Sequence, residues 1–238
     1  GKTTLMRMVN AMVTPTSGTV FVRGRDVAGE NPVHLRRSIG YVLQEGGLFP
    51  HRTVADNVAT VPRLEGTPAR EARERARELL DLVGLEPDLA NRYPTQLSGG
   101  QRQRVGVARA LANRADILLM DEPFGALDPL VRADLQRELK EIQAALGATI
   151  LFVTHDVDEA FTLGDQVAVL SRGGRIEQVG APSDLLSSPA SEFVADFVGA
   201  SRAARPVRLA GSGSLLVDEE GTPVGTLTPG SGGEGTAS

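Results

Sequence analysis

The chain has 238 residues, of which 41% are hydrophobic and 23% are charged, and its formal net charge is −5. These proportions are ordinary for a globular protein with one large domain, and the acidic balance argues against a general basic surface for nucleic acid or anionic lipid. The absence of cysteine excludes disulfides and thiolate metal sites, and no apolar run approaches the roughly 20 residues that a membrane helix needs.

Short apolar runs alternate with helical patterns along the chain. Continuous apolar runs between amphipathic helices are typical of parallel strands that are covered on both faces, so the predicted class is α/β. The predicted helices are 5–13, 68–83, 101–112 and 131–146, and the predicted strands are 19–23, 39–43, 117–120, 149–153 and 166–170.

The predicted helix 68–83 is rich in arginine and glutamate. Opposite charges such as Glu71 and Arg75 lie four residues apart, which stabilises an exposed helix. The pattern favours a solvated helix face, and the alternative is a docking surface for another protein.

The composition changes after residue 199. Residues 200–238 contain eight glycines and are predicted to be a linker or tail. Within them, 215–217 and 224–227 can form a weak hairpin around Glu219-Glu220-Gly221. We therefore predict one large domain over 1–199 and a glycine-rich C-terminal tail over 200–238.

The chain opens with Gly1-Lys2-Thr3-Thr4 before a helical pattern. Gly-Lys-Thr ends the phosphate-binding pattern G-x-x-x-x-G-K-[ST], although a tripeptide at a chain end also occurs by chance. In that pattern the helix N-terminus attracts phosphate, the lysine reaches the β- and γ-phosphates and the threonine hydroxyl ligates Mg²⁺. Thr4 offers a second hydroxyl to the phosphates. We interpret the chain as a fragment whose upstream strand and loop are missing.

A second candidate site follows the apolar run 117–120, which ends in Asp121 and Glu122. A buried strand has no use for adjacent acids at its tip unless a cation lies there. Asp121 suits the acid that holds Mg²⁺ in a phosphate-loop NTPase, and Glu122 suits a base that polarises the attacking water. The alternative for Glu122 is a helix-capping acid before Pro123.

A third candidate is the string Leu97-Ser98-Gly99-Gly100-Gln101, which opens the next helix. Two glycines allow close backbone approach, Ser98 offers a hydroxyl, and the following helix N-terminus favours anions. A lone Ser-Gly-Gly would indicate only a helix cap, but this string precedes the acidic strand by about twenty residues.

The string Leu97 to Gln101 resembles the signature of ATP-binding cassette (ABC) ATPases. The resemblance extends over residues 1–199, because further pieces occur in the order that the family shows. In this resemblance Gln44 corresponds to the Q-loop glutamine, Asp121-Glu122 to the Walker B pair, Ala126-Leu127-Asp128 to the D-loop and His155 to the switch histidine.

A narrower resemblance is to importers. The segments 39–51 and 121–129 are similar to importer ATPases. The sequence around 46–50, 61–62 and 154–160 is most similar to the quaternary-amine osmoprotectant branch of these importers. That branch takes up glycine betaine, choline, carnitine or proline.

The resemblance implies a specific fold and a specific dimeric assembly. The fold would be a phosphate-loop NTPase of ABC type, with a mainly parallel sheet, an antiparallel β part and a helical signature subdomain. Two subunits would pack head to tail, with ATP between one loop and the partner's signature. The implied ATP-binding residues are Gly1, Lys2, Thr3, Thr4, Gln44, Ser98, Gly99, Gly100, Gln101, Asp121 and Asp128, with Thr3, Gln44 and Asp121 at Mg²⁺ and with Glu122 and His155 catalytic.

The implied partners are transmembrane permease subunits, a second ATPase subunit and, indirectly, an extracytoplasmic substrate-binding protein, with no nucleic acid. The expected location is the cytoplasmic face of the cell membrane. Two alternatives are a soluble ABC-type ATPase that acts on ribosomes or DNA, and a structural subunit that binds nucleotide without hydrolysing it. The acidic balance argues against the first, and the presence of Glu122 and His155 argues against the second.

Overall fold

The structure is a computed structural model that describes residues 1–43, 47–125 and 127–199, together with the backbone of 208–209, 215–217 and 223–226. Its helices are α1 (Lys2–Val9), α2 (Pro32–Ser38), α3 (Val54–Val58), α4 (Thr60–Leu64), α5 (Ala69–Leu82), α6 (Gly99–Leu111), α7 (Pro129–Leu146), α8 (Val157–Leu163), α9 (Pro182–Ser187) and α10 (Glu192–Val198). Its strands are β1 (Phe21–Val22), β2 (Arg25–Asp26), β3 (Gly40–Val42), β4 (Ile117–Asp121), β5 (Thr149–Val153), β6 (Val167–Leu170), β7 (Ile176–Gly180), β8 (Arg208–Leu209), β9 (Leu215–Val217) and β10 (Pro223–Thr226).

A parallel sheet with the strand order β3-β4-β5 organises the first part of the chain. Gly40 lies opposite Leu118 on one side of β4, and Asp121 lies opposite Val153 on the other side. Helices connect these strands, as parallel pairing requires. The predicted α/β class is therefore confirmed, and the carboxyl ends of β4 and β5 lie level with each other.

The central strand β4 is buried on both faces. Leu118 and Met120 are fully buried in a core cluster that includes Val105 of α6, whereas Leu119 belongs to a second cluster with Met6 of α1. Because successive side chains of a strand point to opposite faces, this division shows that helices cover both sides of β4.

The edge strand β5 departs from the prediction of strands covered on both faces. Leu151 is 44% exposed, while Val153 is buried. Thr149 and Leu151 on one face are exposed, and Ile150 and Phe152 on the other are partly exposed, so neither face of β5 is covered as completely as the faces of β4.

A small antiparallel pair lies near the start of the chain. Phe21 lies opposite Asp26, and Val22 lies opposite Arg25. The two linking residues, Arg23 and Gly24, have φ angles of 51° and 73°. A two-residue turn with positive φ at both positions matches the twist of a hairpin, so the run predicted as the single strand 19–23 is the first arm of a hairpin.

Helix α5 has the solvated face that its charge pattern favours. It buries Ala72, Ala76, Leu79 and Leu80, whereas Arg70, Arg73 and Arg77 are exposed and Arg75 is partly buried. Opposite charges also lie three residues apart on this helix, and Arg75 contacts Glu78 at 3.0 Å. Both spacings fit a helix surface, so the sequence alone did not select the partner.

The chain divides into two units, each with its own internal packing. The first comprises Gly1–Asp165 and Leu170–Arg175, and the second comprises Gln166–Val169 and the described residues from Ile176 onward. The division at residue 199 remains a prediction. None of the helices in the described ranges combines the length and apolar character that crossing a bilayer requires.

In the second unit, β6 pairs with β7. The run 166–170, predicted as a further parallel strand, forms β6, and the connection 171–175 is too short for a parallel crossover between β6 and β7. Later in the chain, β9 pairs antiparallel with both β8 and β10. The pairing of β9 with β10 joins the two segments for which the sequence predicts a hairpin.

Candidate nucleotide-binding site

The N-terminus of α1 meets the carboxyl end of β4. Gly1 precedes the helix as its N-cap without a side-chain hydrogen bond, and Lys2, Thr3 and Thr4 form the first turn. The Thr3 hydroxyl donates to Oδ1 of Asp121 at 2.9 Å. Two residues that the sequence placed in separate motifs are therefore in direct contact, at the level where helix N–H groups are unpaired and attract anions.

Arg7 also lies at this site, although the sequence did not single it out. Its guanidinium Nη2 lies 3.9 Å from Oδ2 of Asp121, and its Nε donates to the Tyr41 hydroxyl at 3.5 Å. The contact with Tyr41 is the main cause that raises the pKa of Arg7 above its usual value. Arg7 follows Thr3 by four residues, so helical spacing places both on one face; that spacing is the signal that could have found it.

The Thr3–Asp121 pair suits Mg²⁺. Hydroxyl and carboxylate oxygens are ligands that this ion prefers, and it is usually held by one or two carboxylates together with substrate phosphates and water. Among the described residues, no cluster of three or more histidine, aspartate or glutamate side chains could hold a metal by itself. The hydroxyl of Thr3 and the carboxylate of Asp121 therefore fit a Mg²⁺ site whose other ligands are phosphate and water oxygens.

Glu122 and His155 form a second contact at the same end of the sheet. Nδ1 of His155 lies 3.3 Å from Oε2 of Glu122, and the two side chains are 66% and 28% exposed respectively. The register explains the contact: Asp121 lies opposite Val153, so the residues that follow β4 and β5 emerge side by side.

The backbone of Glu122 is unusual for a residue with a side chain. Its φ is 47°, in the left-handed region that glutamate rarely occupies. Its N–H donates to the Val153 carbonyl at 2.9 Å, and its carbonyl accepts from Gly125 at 3.2 Å, so hydrogen bonds on both sides hold the conformation. Such strain is concentrated at functional sites, where it redirects a side chain away from the strand direction.

Ser98 caps helix α6. Its hydroxyl accepts from the Gln101 N–H at 3.2 Å, and the Gln101 side-chain oxygen accepts from the Ser98 N–H at 2.9 Å. This reciprocal capping box explains the serine and glutamine at this spacing within one subunit. No hydrogen bond joins Ser98 to Thr3 or Asp121 in the described residues, and Ser98 and Gly99 are exposed.

The signature segment packs on the beginning of α7. A Cβ atom at Gly100 would lie 2.8 Å from Cγ1 of Val131, whereas one at Gly99 would lie 3.9 Å from the nearest atom of Leu127. Asp128 is the N-cap of α7 and accepts from the Leu130 N–H at 3.0 Å. The close approach that glycine permits is therefore needed at Gly100.

The remaining predicted residues differ in what the structure says of them. Lys2 lies partly exposed in the first turn of α1, and Gly1 and Thr4 are exposed there. Gln44 lies outside the described residues. The geometry thus joins Thr3 with Asp121 and Glu122 with His155, and places Ser98 with Gln101.

Comparisons with known proteins give the family. The family model described as "ABC transporter" matches residues 1–125, and the chain belongs to the ABC transporter family. The chain is similar to a dimeric, post-hydrolysis structure of the ATP-binding cassette MJ0796 bound to ADP and phosphate, with a TM-score of 0.68 and 34% identity over 76% of this chain and 80% of that one. The predicted ABC fold is therefore confirmed.

Two relatives have names that describe transport or import. The glycine betaine/carnitine/choline transport ATP-binding protein OpuCA of Bacillus subtilis (strain 168) is 52% identical over 85% of this chain and 53% of its own length. The spermidine/putrescine import ATP-binding protein PotA of Thermobifida fusca (strain YX) is 51% identical over 84% of this chain and 51% of its length. The chain thus spans about half of each relative. The resemblance to the osmoprotectant branch is confirmed, and a polyamine importer is nearly as similar.

Proposed function

We propose that this chain is the ATP-binding and ATP-hydrolysing part of a subunit that drives an ABC importer for quaternary-amine osmoprotectants such as glycine betaine, carnitine, choline or proline. The observation that carries the hydrolytic part is the pairing at one end of the parallel sheet: Thr3 with Asp121, and Glu122 with His155. The observation that favours the solute class is the likeness to OpuCA, together with the sequence around 46–50 and 154–160.

The residues at the sheet end divide the chemistry among them. Lys2 and the N–H groups of the first turn of α1 would hold the β- and γ-phosphates of ATP, with Thr4 adding a hydroxyl. Glu122 would accept a hydrogen bond from the attacking water and orient it towards the γ-phosphate. His155 would contact the γ-phosphate and stabilise charge as it develops. The contact of His155 with Glu122 keeps these two groups within reach of one reacting centre.

Thr3 and Asp121 would hold Mg²⁺, with Gln44 as a further ligand. When bound, this ion neutralises charge on the β- and γ-phosphates. The Thr3 hydroxyl donates to one carboxylate oxygen of Asp121, and Arg7 lies near the other, so both candidate Mg²⁺ ligands lie side by side.

The second half of the nucleotide site would come from another subunit. Ser98, Gly99, Gly100 and Gln101 are at or near the exposed N-terminus of α6, where they could face the γ-phosphate of a partner's ATP, and Asp128 would link the two sites. Binding would then close the dimer and hydrolysis would open it, since only the γ-phosphate is held from both sides. The similarity to a dimeric cassette supports this arrangement.

The remaining partners follow from the importer assignment. Transmembrane permease subunits would respond to the closing and opening of the ATPase dimer, and an extracytoplasmic binding protein would deliver solute to them. This chain would lie peripherally on the cytoplasmic face of the membrane. A net charge of −5 disfavours nucleic acid as a partner, against the alternative of a soluble ATPase on ribosomes or DNA.

The test is uptake by the complete transporter in proteoliposomes. Mg·ATP inside the vesicles should drive uptake of labelled glycine betaine or choline, and Glu122→Gln should abolish it. Spermidine is the necessary competitor, because the likeness to PotA favours a polyamine as the second candidate solute. Uptake of spermidine alone would overturn the proposed osmoprotectant solute but leave the proposed ATPase role intact. Absence of ATP hydrolysis would overturn the ATPase role and favour the alternative of a structural subunit that binds nucleotide without hydrolysing it.

A further inference from the structure

Arg132 connects the beginning of α7 with the loop that carries His155. It lies one turn after Asp128, whose carbonyl accepts its N–H at 2.8 Å. Its Nη1 lies 3.3 Å from Oδ2 of Asp156, its Nε lies 3.7 Å from Oε1 of Glu159, and its Nη2 lies 3.5 Å from the Leu127 carbonyl oxygen. One guanidinium therefore contacts acceptors on two segments that flank the candidate site.

The residues on either side of His155 are fixed by the same cluster. The Thr154 hydroxyl donates to Oε2 of Glu159 at 2.6 Å and accepts from the Asp156 N–H at 3.0 Å. Oδ1 of Asp156 accepts from the Asp158 and Glu159 N–H groups and caps α8. Each carboxylate thus uses one oxygen within the loop and offers the other to Arg132.

Burial makes this cluster costly to leave incomplete. The Glu159 side chain is only 6% exposed, and that of Arg132 is 29% exposed. Burying a carboxylate is costly unless a cation and hydrogen bonds compensate for the lost water. By contrast the His155 side chain is 66% exposed, so packing around it does little to fix its position. Its position depends instead on the neighbouring residues Thr154 and Asp156, which the cluster holds.

We propose that Arg132 and Glu159 are positioning residues that set the place of His155 relative to Glu122 and Asp128, and that they act on hydrolysis through His155. This inference rests on the proposed ATPase function. Geometry as well as charge is required, because the guanidinium hydrogen-bonds Asp156 from Nη1 and the Leu127 carbonyl from Nη2 while its Nε lies 3.7 Å from Glu159. The three N–H groups of a lysine ammonium share one nitrogen and cannot occupy these separate positions.

The first test is Arg132→Lys in the assembled transporter. Lysine keeps a positive charge beside Glu159 but loses the fork, so kcat should fall about tenfold or more, as expected for a misplaced catalytic group. The Kd for ATP should change little, and any fall in the thermal midpoint measures the separate cost of the contacts that the cluster loses. Arg137→Lys is the matched control, because Arg137 lies on the same helix, is 66% exposed and pairs only with Asp134 in the described contacts; its kcat should match wild type.

The second test asks whether the effect passes through His155. In a His155→Ala background, whose slow hydrolysis is measured by single turnover, Arg132→Lys should cause no further loss, since the group that it positions is gone. Glu159→Gln should behave in the same way, and it keeps the inference testable if Arg132→Lys does not fold.

Three results separate the outcomes. Wild-type kcat in both Arg132→Lys and Glu159→Gln would overturn the inference. So would an equal fold-loss with and without His155, because the cluster would then act on the fold in general. If the wild-type transporter itself does not hydrolyse ATP, the proposed function fails, a result that is distinct from a failure of the variants alone.

Discussion

The Thr3 hydroxyl donates a 2.9 Å hydrogen bond to Oδ1 of Asp121, although 118 residues separate them in the chain. The first turn of α1 and the end of β4 are brought together because Met6 and Leu119 pack in one core cluster. The contact predicts that Asp121 acts on Mg²⁺ together with Thr3.

Asp121→Asn should therefore weaken the use of Mg²⁺. The amide retains the shape of the side chain but removes the negative charge, so the Mg²⁺ concentration for half-maximal hydrolysis should rise and kcat should fall by about 10² or more. Asp116→Asn is the control, because Asp116 precedes the opposite end of β4 and pairs with Arg23. ATPase titrations with Mg²⁺ measure both; equal curves for Asp121→Asn and wild type would remove Asp121 from the metal site.

Glu122→Gln should keep ATP binding and lose hydrolysis. The amide can still contact His155 but cannot act as a base towards water, so steady-state hydrolysis should fall by about 10² or more. Fluorescent-nucleotide binding measures the first property and phosphate release measures the second. Glu141→Gln, on the exposed side of α7, should change neither. Normal turnover by Glu122→Gln would argue against its catalytic role.

Local patterns predicted the secondary structure near the site well. The apolar run 117–120 and the observed β4 (Ile117–Asp121) differ by one residue, and the run 149–153 coincides with β5. Both runs are apolar, bounded by polar residues and too short for a typical helix, so periodicity and length agree. The run 166–170 has the same pattern and forms β6, but its described neighbour is β7 and not a strand of the β3-β4-β5 sheet.

The contacts within the site were less predictable. Whether Glu122 meets His155 depends on the register of β4 against β5, which no local pattern encodes. Arg7 and Arg132 were missed because a charged residue on a helix is usually solvated, and only the packing of α1 and α7 shows which acids they approach. Family resemblance supplied the roles of Ser98 and Asp128, whereas the structure shows each as a helix cap.

Ser98→Arg should prevent ATP-driven pairing of subunits. Ser98 is exposed at the N-terminus of α6, and a long cation there would fill the space that the proposed partner phosphate needs. Loss of the cap costs about 1 kcal/mol, which is too little to unfold a domain of ordinary stability. Size-exclusion chromatography with Mg·ATP, in a Glu122→Gln background that retains nucleotide, should show dimers for the parent and monomers for Ser98→Arg.

Ser98→Thr is the matched control for that experiment. Threonine keeps a capping hydroxyl and adds only a methyl group, so its dimerisation should resemble that of the parent. Wild-type dimerisation by Ser98→Arg, with ATP still bound, would count against the head-to-tail arrangement. If both variants lose ATP binding, a change within the subunit is responsible and the steric explanation is wrong.

The pH dependence of stability should report the contact between α3 and α5. Arg73 donates from Nε to Oδ1 of Asp56 at 2.8 Å and from Nη2 to Oδ2 at 3.2 Å. This contact is the main cause that lowers the pKa of Asp56 below its ordinary value of 3.8. Because the folded-state pKa is depressed, the stabilisation is present above about pH 4 and is lost as the pH falls through the folded-state value.

Arg73→Gln should consequently lower the thermal midpoint at pH 7 by at most a few degrees, because the pair is partly solvated, and the difference from wild type should shrink below pH 4. Arg70→Gln is the control on the same helix: its side chain is 90% exposed and pairs with Glu74 within one helical turn, so its midpoint should follow wild type more closely at pH 7. Calorimetry between pH 3 and pH 7 measures both variants. A deficit for Arg73→Gln that stays constant over this range would mean that Arg73 stabilises the fold through packing of its aliphatic part, and that ionised Asp56 contributes nothing to holding α3 against α5.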